Sequence, residues 1–205
     1  METKEKFVKE KDKLLFLIKK SEAMACTESQ KFALEIARKI VGVSQTVVFL
    51  VDSGSTIEAH TVCRLLLEHL FNFGALLHSE DHFQELKNHS KGECSRQIKK
   101  IYTDPELREN LTDENYQHAD EYINDPERAN APKNGLNWEQ ISKIGNTNSM
   151  YVVYKEYSFL YAHSTFMSII KEVSEEEIDE LYINVLTVLN FSSSLLRNKL
   201  LNAMN

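Results

Sequence analysis

The chain has 205 residues, 42% of them hydrophobic and 27% charged, a composition that suits one globular core and excludes a disordered or fibrous protein. Its formal net charge of −7 excludes a generally basic, nucleic-acid-coating surface, and no stretch approaches the roughly 20 apolar residues that span a bilayer. Three cysteines, Cys26, Cys63 and Cys94, form no CxxC pair, which argues for reduced thiols and a cytoplasmic setting.

Glycine occurs six times and proline three times, and Pro105, Pro126 and Pro132 all fall in one stretch. Long segments free of helix breakers favour an all-α, single-domain bundle over residues 1–205, with about six to eight helices and no significant sheet. The first segment, METKEKFVKEKDKLLFLIKK, places Phe7, Leu14, Leu15, Leu17 and Ile18 among lysines as an amphipathic helix over 3–20. Its apolar run is too short and interrupted for the core of a signal peptide. Thr27, with Gln30 three residues on, predicts a capping box opening a helix that continues to about Val51. The β-branched run QTVVFLV inside it stays helical, because a lone strand would have no partner.

Asp52 to Ser55 punctuate the chain, Ser55 is the expected N-cap, and the apolar segment from Thr56 to about Leu77 should be the central helix. A helix over 80–102 should stop before Asp104-Pro105, followed by an acidic helix over 105–123 and a loop, NDPERANAPKNGLN, over 124–137. Trp138 begins a short helix ending at Gly145, and Asn148 opens a long one over 149–173. Ser174, followed by three glutamates, caps the last helix, 174–202, which with the N-terminal helix completes the bundle. The negative charge is local: residues 104–128 contain nine Asp or Glu against Arg108 and Arg128. The basic residues Lys87, Lys91, Arg96, Lys99 and Lys100 are diluted by Glu85 and Glu93, as on a solvated helix face.

Three constellations carry potential chemistry. On the central helix, Thr61, Arg64, Glu68 and Asn72 recur at three or four residues and share one side, and a buried Arg64 requires Glu68 one turn away as its partner. The 149–173 helix carries Tyr154, Tyr157, Ser158, Tyr161 and Thr165 on one side, with Glu156 and His163 adjoining. Hydroxyls beside an imidazole that Glu68 or Glu156 could orient would suit proton transfer or ligand hydrogen bonding, although satisfied core groups have the same signature. Third, His78, His82, Glu85 and His89 would line one face of a continuous helix and suit a transition metal, a pattern that any polar helix face also produces. No metal or other cofactor is expected. The chain contains no HExxH, Glu-x-x-His, GxxxxGK[ST], GxGxxG or GxSxG, which disfavours the commonest metalloprotease, di-iron, nucleotide and hydrolase machineries.

The segments EAHTVCRLLLEHLFNFGALL and NWEQISKIGNTNSMYVVYKEYSFLYAHST together resemble a bacterial domain-of-unknown-function family of helical proteins. In that family an Arg-x-x-x-Glu helix is followed by a Trp-containing segment and a Tyr-x-x-x-Ser helix ending in His. The matching positions are Arg64, Glu68, Trp138, Tyr154 or Tyr157, Ser158 and His163, within residues 50–170. The resemblance implies a helical bundle with an interior polar cluster and supplies no activity. Arg64-LLLE-His69 is also similar to the HEPN group of helical ribonucleases and toxins, whose signature is an Arg and a His with four to six residues between them. Residues five apart on a regular helix point about 140° away from each other, and Leu65 replaces the polar residue common after that arginine.

Three functions are therefore expected in order. The first is a pocket for a small polar ligand or substrate, built from Arg64, Glu68, Tyr154, Tyr157, Ser158, Tyr161, His163 and Trp138. The second is a HEPN-like RNA-cleaving factor of stress or phage defence, in which RNA is the partner. The third is a non-enzymatic module that binds a protein through the acidic 104–128 surface or the terminal helices. None involves a membrane, and each is compatible with a homodimer.

Overall fold

A computed structural model of the chain describes residues 2–25, 27–109, 112–124, 135–162 and 171–202. It is all-α, with no strand among the described residues. The helices are α1 (Glu2–Glu22), α2 (Glu28–Asp52), α3 (Thr56–His78), α4 (Glu80–Thr103), α5 (Pro105–Arg108), α6 (Asp113–Ile123), α7 (Trp138–Ile144), α8 (Tyr151–Leu160) and α9 (Glu175–Leu196). A 3₁₀ turn, Asn148–Met150, precedes α8, and a π-helical turn, Arg197–Leu201, follows α9. The chain divides into two compact units, residues 1–80 with 138–205, and residues 81–137. No described helix is long and apolar enough to cross a membrane.

In the first unit local chemistry starts the helices where the sequence expects. Thr27 accepts from the Gln30 amide at 3.2 Å while the Gln30 side chain reciprocates to the Thr27 N–H, and Ser174 and Glu177 repeat the arrangement before α9. Ser55 takes the N-cap position of α3 but makes no side-chain cap bond. The turn before it relies on Gly54, whose φ of 82° lies in the left-handed region that a Cβ disfavours.

α3 is the hub of this unit, packing on α2, α7, α8 and α9, while α1 covers α2 and α9. Cys63, Leu66, Leu67, Leu70, Phe71 and Phe73 are fully buried, so α3 is apolar on most sides and its polar residues form a narrow stripe. α2 and α3 form an antiparallel hairpin pinned by Ser29 Oγ, which donates to the Leu76 carbonyl at 2.8 Å. α7 lies against the end of α3 through two glycines. A Cβ on Gly74 would stand 2.6 Å from the Gly145 carbonyl oxygen, and one on Gly145 would stand 2.8 Å from the Ala75 nitrogen.

Two expected helices end differently. The 149–173 helix stops at Leu160, because Tyr161 leaves helical geometry (φ −125°) and turns its carbonyl to accept from Thr61 Oγ1 on α3 at 3.1 Å. Residues 171–174 are not helical, and His163 and Thr165 lie outside the described residues. In the second unit the 105–123 helix is split into α5 and α6, since Thr112 acts as a fresh N-cap, accepting from the Asn115 amide at 3.3 Å. Of the described residues of α4 only His82 and Gly92 are buried.

Candidate functional site

Arg64, Glu68, Tyr154 and Ser158 meet where α3 and α8 cross in antiparallel fashion. Arg64 Nη2 lies 2.8 Å from Glu68 Oε1 one turn along α3, as the i, i+4 spacing predicts. The same nitrogen donates to Tyr154 Oη at 3.3 Å, and Arg64 Nε donates to Ser158 Oγ at 2.9 Å. Ser158 can accept because its own hydroxyl proton goes to the Tyr154 carbonyl at 2.7 Å, which uses both of its hydrogen-bonding roles. The guanidinium carbon also sits 5.4 Å from the centre of the Tyr154 ring. Tyr154 is itself fixed by Phe71, Tyr151 and Trp138, whose ring centres lie 5.7, 5.8 and 6.2 Å away.

Burial pushes the Glu68 carboxyl up, outweighing the downward pull of Arg64 and of a hydrogen bond from Tyr154. The Glu68 side chain retains 15% of its exposure and that of Arg64 28%, so Arg64 is the more exposed member of a partly buried pair. Among the described residues no group accepts from Arg64 Nη1. The cluster therefore ends in a charged donor that is oriented from three directions and has N–H groups to spare.

Tyr157 and Tyr161 belong to a second cluster, one helical turn toward the start of α3. Its centre is His60, a residue the sequence reading passes over, which is 1% exposed. Its Nδ1 donates to the Thr56 carbonyl at 2.7 Å, and its ring stacks on Tyr161 at 4.2 Å and meets Tyr157 edge-on at 5.2 Å. Tyr161 Oη donates to Glu177 Oε1 at 2.8 Å, Lys171 pairs with that oxygen at 2.6 Å, and Asn184 Nδ2 donates to Tyr157 Oη at 2.8 Å. Burial pushes the His60 imidazole down. Burial also opposes the charge on Glu177, yet Lys171, the Ser174 amide and the Tyr161 hydroxyl together hold its carboxyl at about 2. His60 was visible in the sequence as the position one turn before Arg64 on the same face, whereas Glu177 reads there only as an N-terminal acid of α9.

His69 and His78 join neither cluster, and His82, Glu85 and His89 belong to the second unit. His69 is pushed down by burial and by the ammonium of Lys39 on α2, while Arg64 is engaged by α8, so the Arg64 and His69 side chains answer to different neighbours. The helix through His78 is interrupted at Ser79, which is extended (φ −147°, ψ 119°), so 78–89 is not one continuous face. His78 Nδ1 donates to the Gly74 carbonyl at 2.7 Å, and its Nε2 accepts from Asn146 at 3.0 Å. His82 pairs with Glu85 at 3.1 Å, and His89 is half-buried. Among the described residues no group of three His, Cys, Asp or Glu is placed to hold an ion.

No curated protein and no solved structure gives a significant match to the chain. A family model does, over residues 30–181, which takes in most of α2, all of α3, the Arg64 cluster, the His60 cluster apart from Asn184, and Trp138. The chain thus belongs to the family of unknown function DUF5677.

Proposed function

We propose that the crossing of α3 and α8 is a binding site for a small polar ligand, received at Arg64. The observation that carries this is the geometry of the guanidinium: three neighbours fix it, one face rests on Tyr154, and Nη1 has no acceptor among the described residues. Fixing a long side chain before a ligand arrives removes much of the ordering cost of binding. Tyr154 and Ser158 are positioning residues, because they touch the ligand-facing group and not the ligand itself. The free thiols of Cys63 and Cys94 support a reducing, cytoplasmic setting.

Screening a small-molecule library by thermal shift, with wild type beside Arg64→Lys, tests the proposal. Lysine keeps the charge but cannot keep contacts with Ser158, Tyr154 and Glu68 at once. Compounds that raise the wild-type melting temperature and leave Arg64→Lys unmoved are expected. A library in which every hit stabilises both proteins equally would remove the site.

A further inference from the structure

We infer that Glu68 occupies the place of a ligand oxyanion, so that the natural ligand of this site carries a carboxylate or phosphoryl group that displaces it from Arg64. The inference rests on the ligand site proposed above and names the chemistry it selects. Ser158 and Tyr154 hold the guanidinium from α8 through Nε and Nη2, and both are uncharged. The position of the cation therefore survives departure of Glu68, and only its charge balance is lost. An incoming oxyanion restores that balance at Nη2 and gains Nη1, which Glu68 leaves unused. The guanidinium stays paired through the exchange while the Glu68 carboxylate swings toward solvent, which avoids the penalty of leaving a partly buried guanidinium unpaired.

The neighbourhood supports Glu68 as the member that yields. Burial of its carboxylate is incompletely offset by Arg64 and Tyr154, so it is the poorly stabilised partner. Among the described residues the charged or titratable groups facing it are Arg64 from α3 and Tyr154 from α8. On α7, Glu139 pairs with Lys143 at 2.6 Å and feels Lys155 of α8, and those groups make their own exposed set.

Sulfate and acetate, as tetrahedral and planar oxyanions whose charges stay constant between about pH 5.5 and about pH 8, are the probes. Titrated by calorimetry at about pH 8, both should bind Glu68→Gln at least about tenfold more tightly than wild type, since removing the resident charge turns repulsion into vacancy. The gap should narrow as pH falls toward about 5.5, because burial makes wild-type Glu68 take up a proton more readily than an exposed carboxylate does, and adding Arg64→Lys to Glu68→Gln should abolish the gain. If sulfate wins the phosphoryl class is favoured, and if acetate wins the carboxylate class is. Equal affinities of wild type and Glu68→Gln, or a gain that survives Arg64→Lys, overturn the inference. If Glu68→Gln does not fold, Glu68→Ala and the wild-type pH dependence make the same comparison. Arg64-dependent binding of uncharged compounds alone would sink the oxyanion while leaving the ligand site, and loss of all Arg64-dependent binding would sink both.

Discussion

The two polar clusters of the first unit lie one helical turn apart on the same face of α3 and end in opposite ways. Around His60 each group has its complement inside the protein: Thr56 for the imidazole, Glu177 for Tyr161, Lys171 for Glu177 and Asn184 for Tyr157. Around Arg64 the partners stop short of Nη1. A closed network stabilises the fold and offers nothing to a ligand, whereas an open one costs some stability and leaves a donor to be used. Polar residues on a buried helix are thus not one kind of signal, and what separates them is whether their hydrogen bonds are exhausted.

The contrast is broken most violently at His60. Replacing it by Ala removes two ring contacts in a fully buried position, and about 2–4 kcal/mol of stability should be lost. By thermal melting this amounts to roughly 5–15 °C for a chain of this size. Glu177→Gln should cost less, about 1–3 kcal/mol, because it removes the charge that pairs Lys171 and receives the Tyr161 hydroxyl. Neither change should touch Arg64-dependent ligand binding, and a ligand lost with either would merge the two clusters into one functional unit.

Acid sharpens the same comparison. The folded protein depresses both His60, from an ordinary 6.5, and Glu177, from 4.5 to about 2. A group that binds its proton less readily when folded adds stability above its unfolded value and forfeits it as pH falls through the interval below. Melting temperature should therefore fall in two steps, one beginning near 6.5, to which His69 also contributes, and one running from 4.5 toward about 2, with the first weakened in His60→Phe and the second in Glu177→Gln. A single step unaffected by either variant would show that other groups dominate.

The smallest stability effects are expected at the open cluster. Ser158→Ala and Arg64→Lys should each lower stability by only about 1 kcal/mol, since their bonds are partly solvated. Ligand affinity should drop much more than that, and equal losses in both measurements would reassign Arg64 to the structural class.

What was readable in the sequence follows the range of the forces involved. The Thr27–Gln30 and Ser174–Glu177 caps and the Arg64–Glu68 pair each lie within one helical turn, and all form as their spacing demands. The β-branched run before Asp52 is helical, as a segment with no partner strand must be, and Val47 is its one buried member. The end of α8 was not readable, since Tyr161 is pulled out of the helix by Thr61, a hundred residues earlier, and by Glu177 on α9. Spacing puts His60 on the face of Arg64, but its partners Tyr157, Tyr161 and Glu177 lie far along the chain from α3, and no local pattern announces them.

Trp138 stands at one end of α7 and Gly145 just past the other. At Gly74 and Gly145 main chain rests on main chain, a closer approach than side chains would allow. That joint acts as a fulcrum: a single methyl group inserted there would lift one end of the lever and swing the indole at the other end away from Tyr154. Ligand affinity at Arg64 would then respond to a change that never touches a charge, a hydroxyl or the ligand.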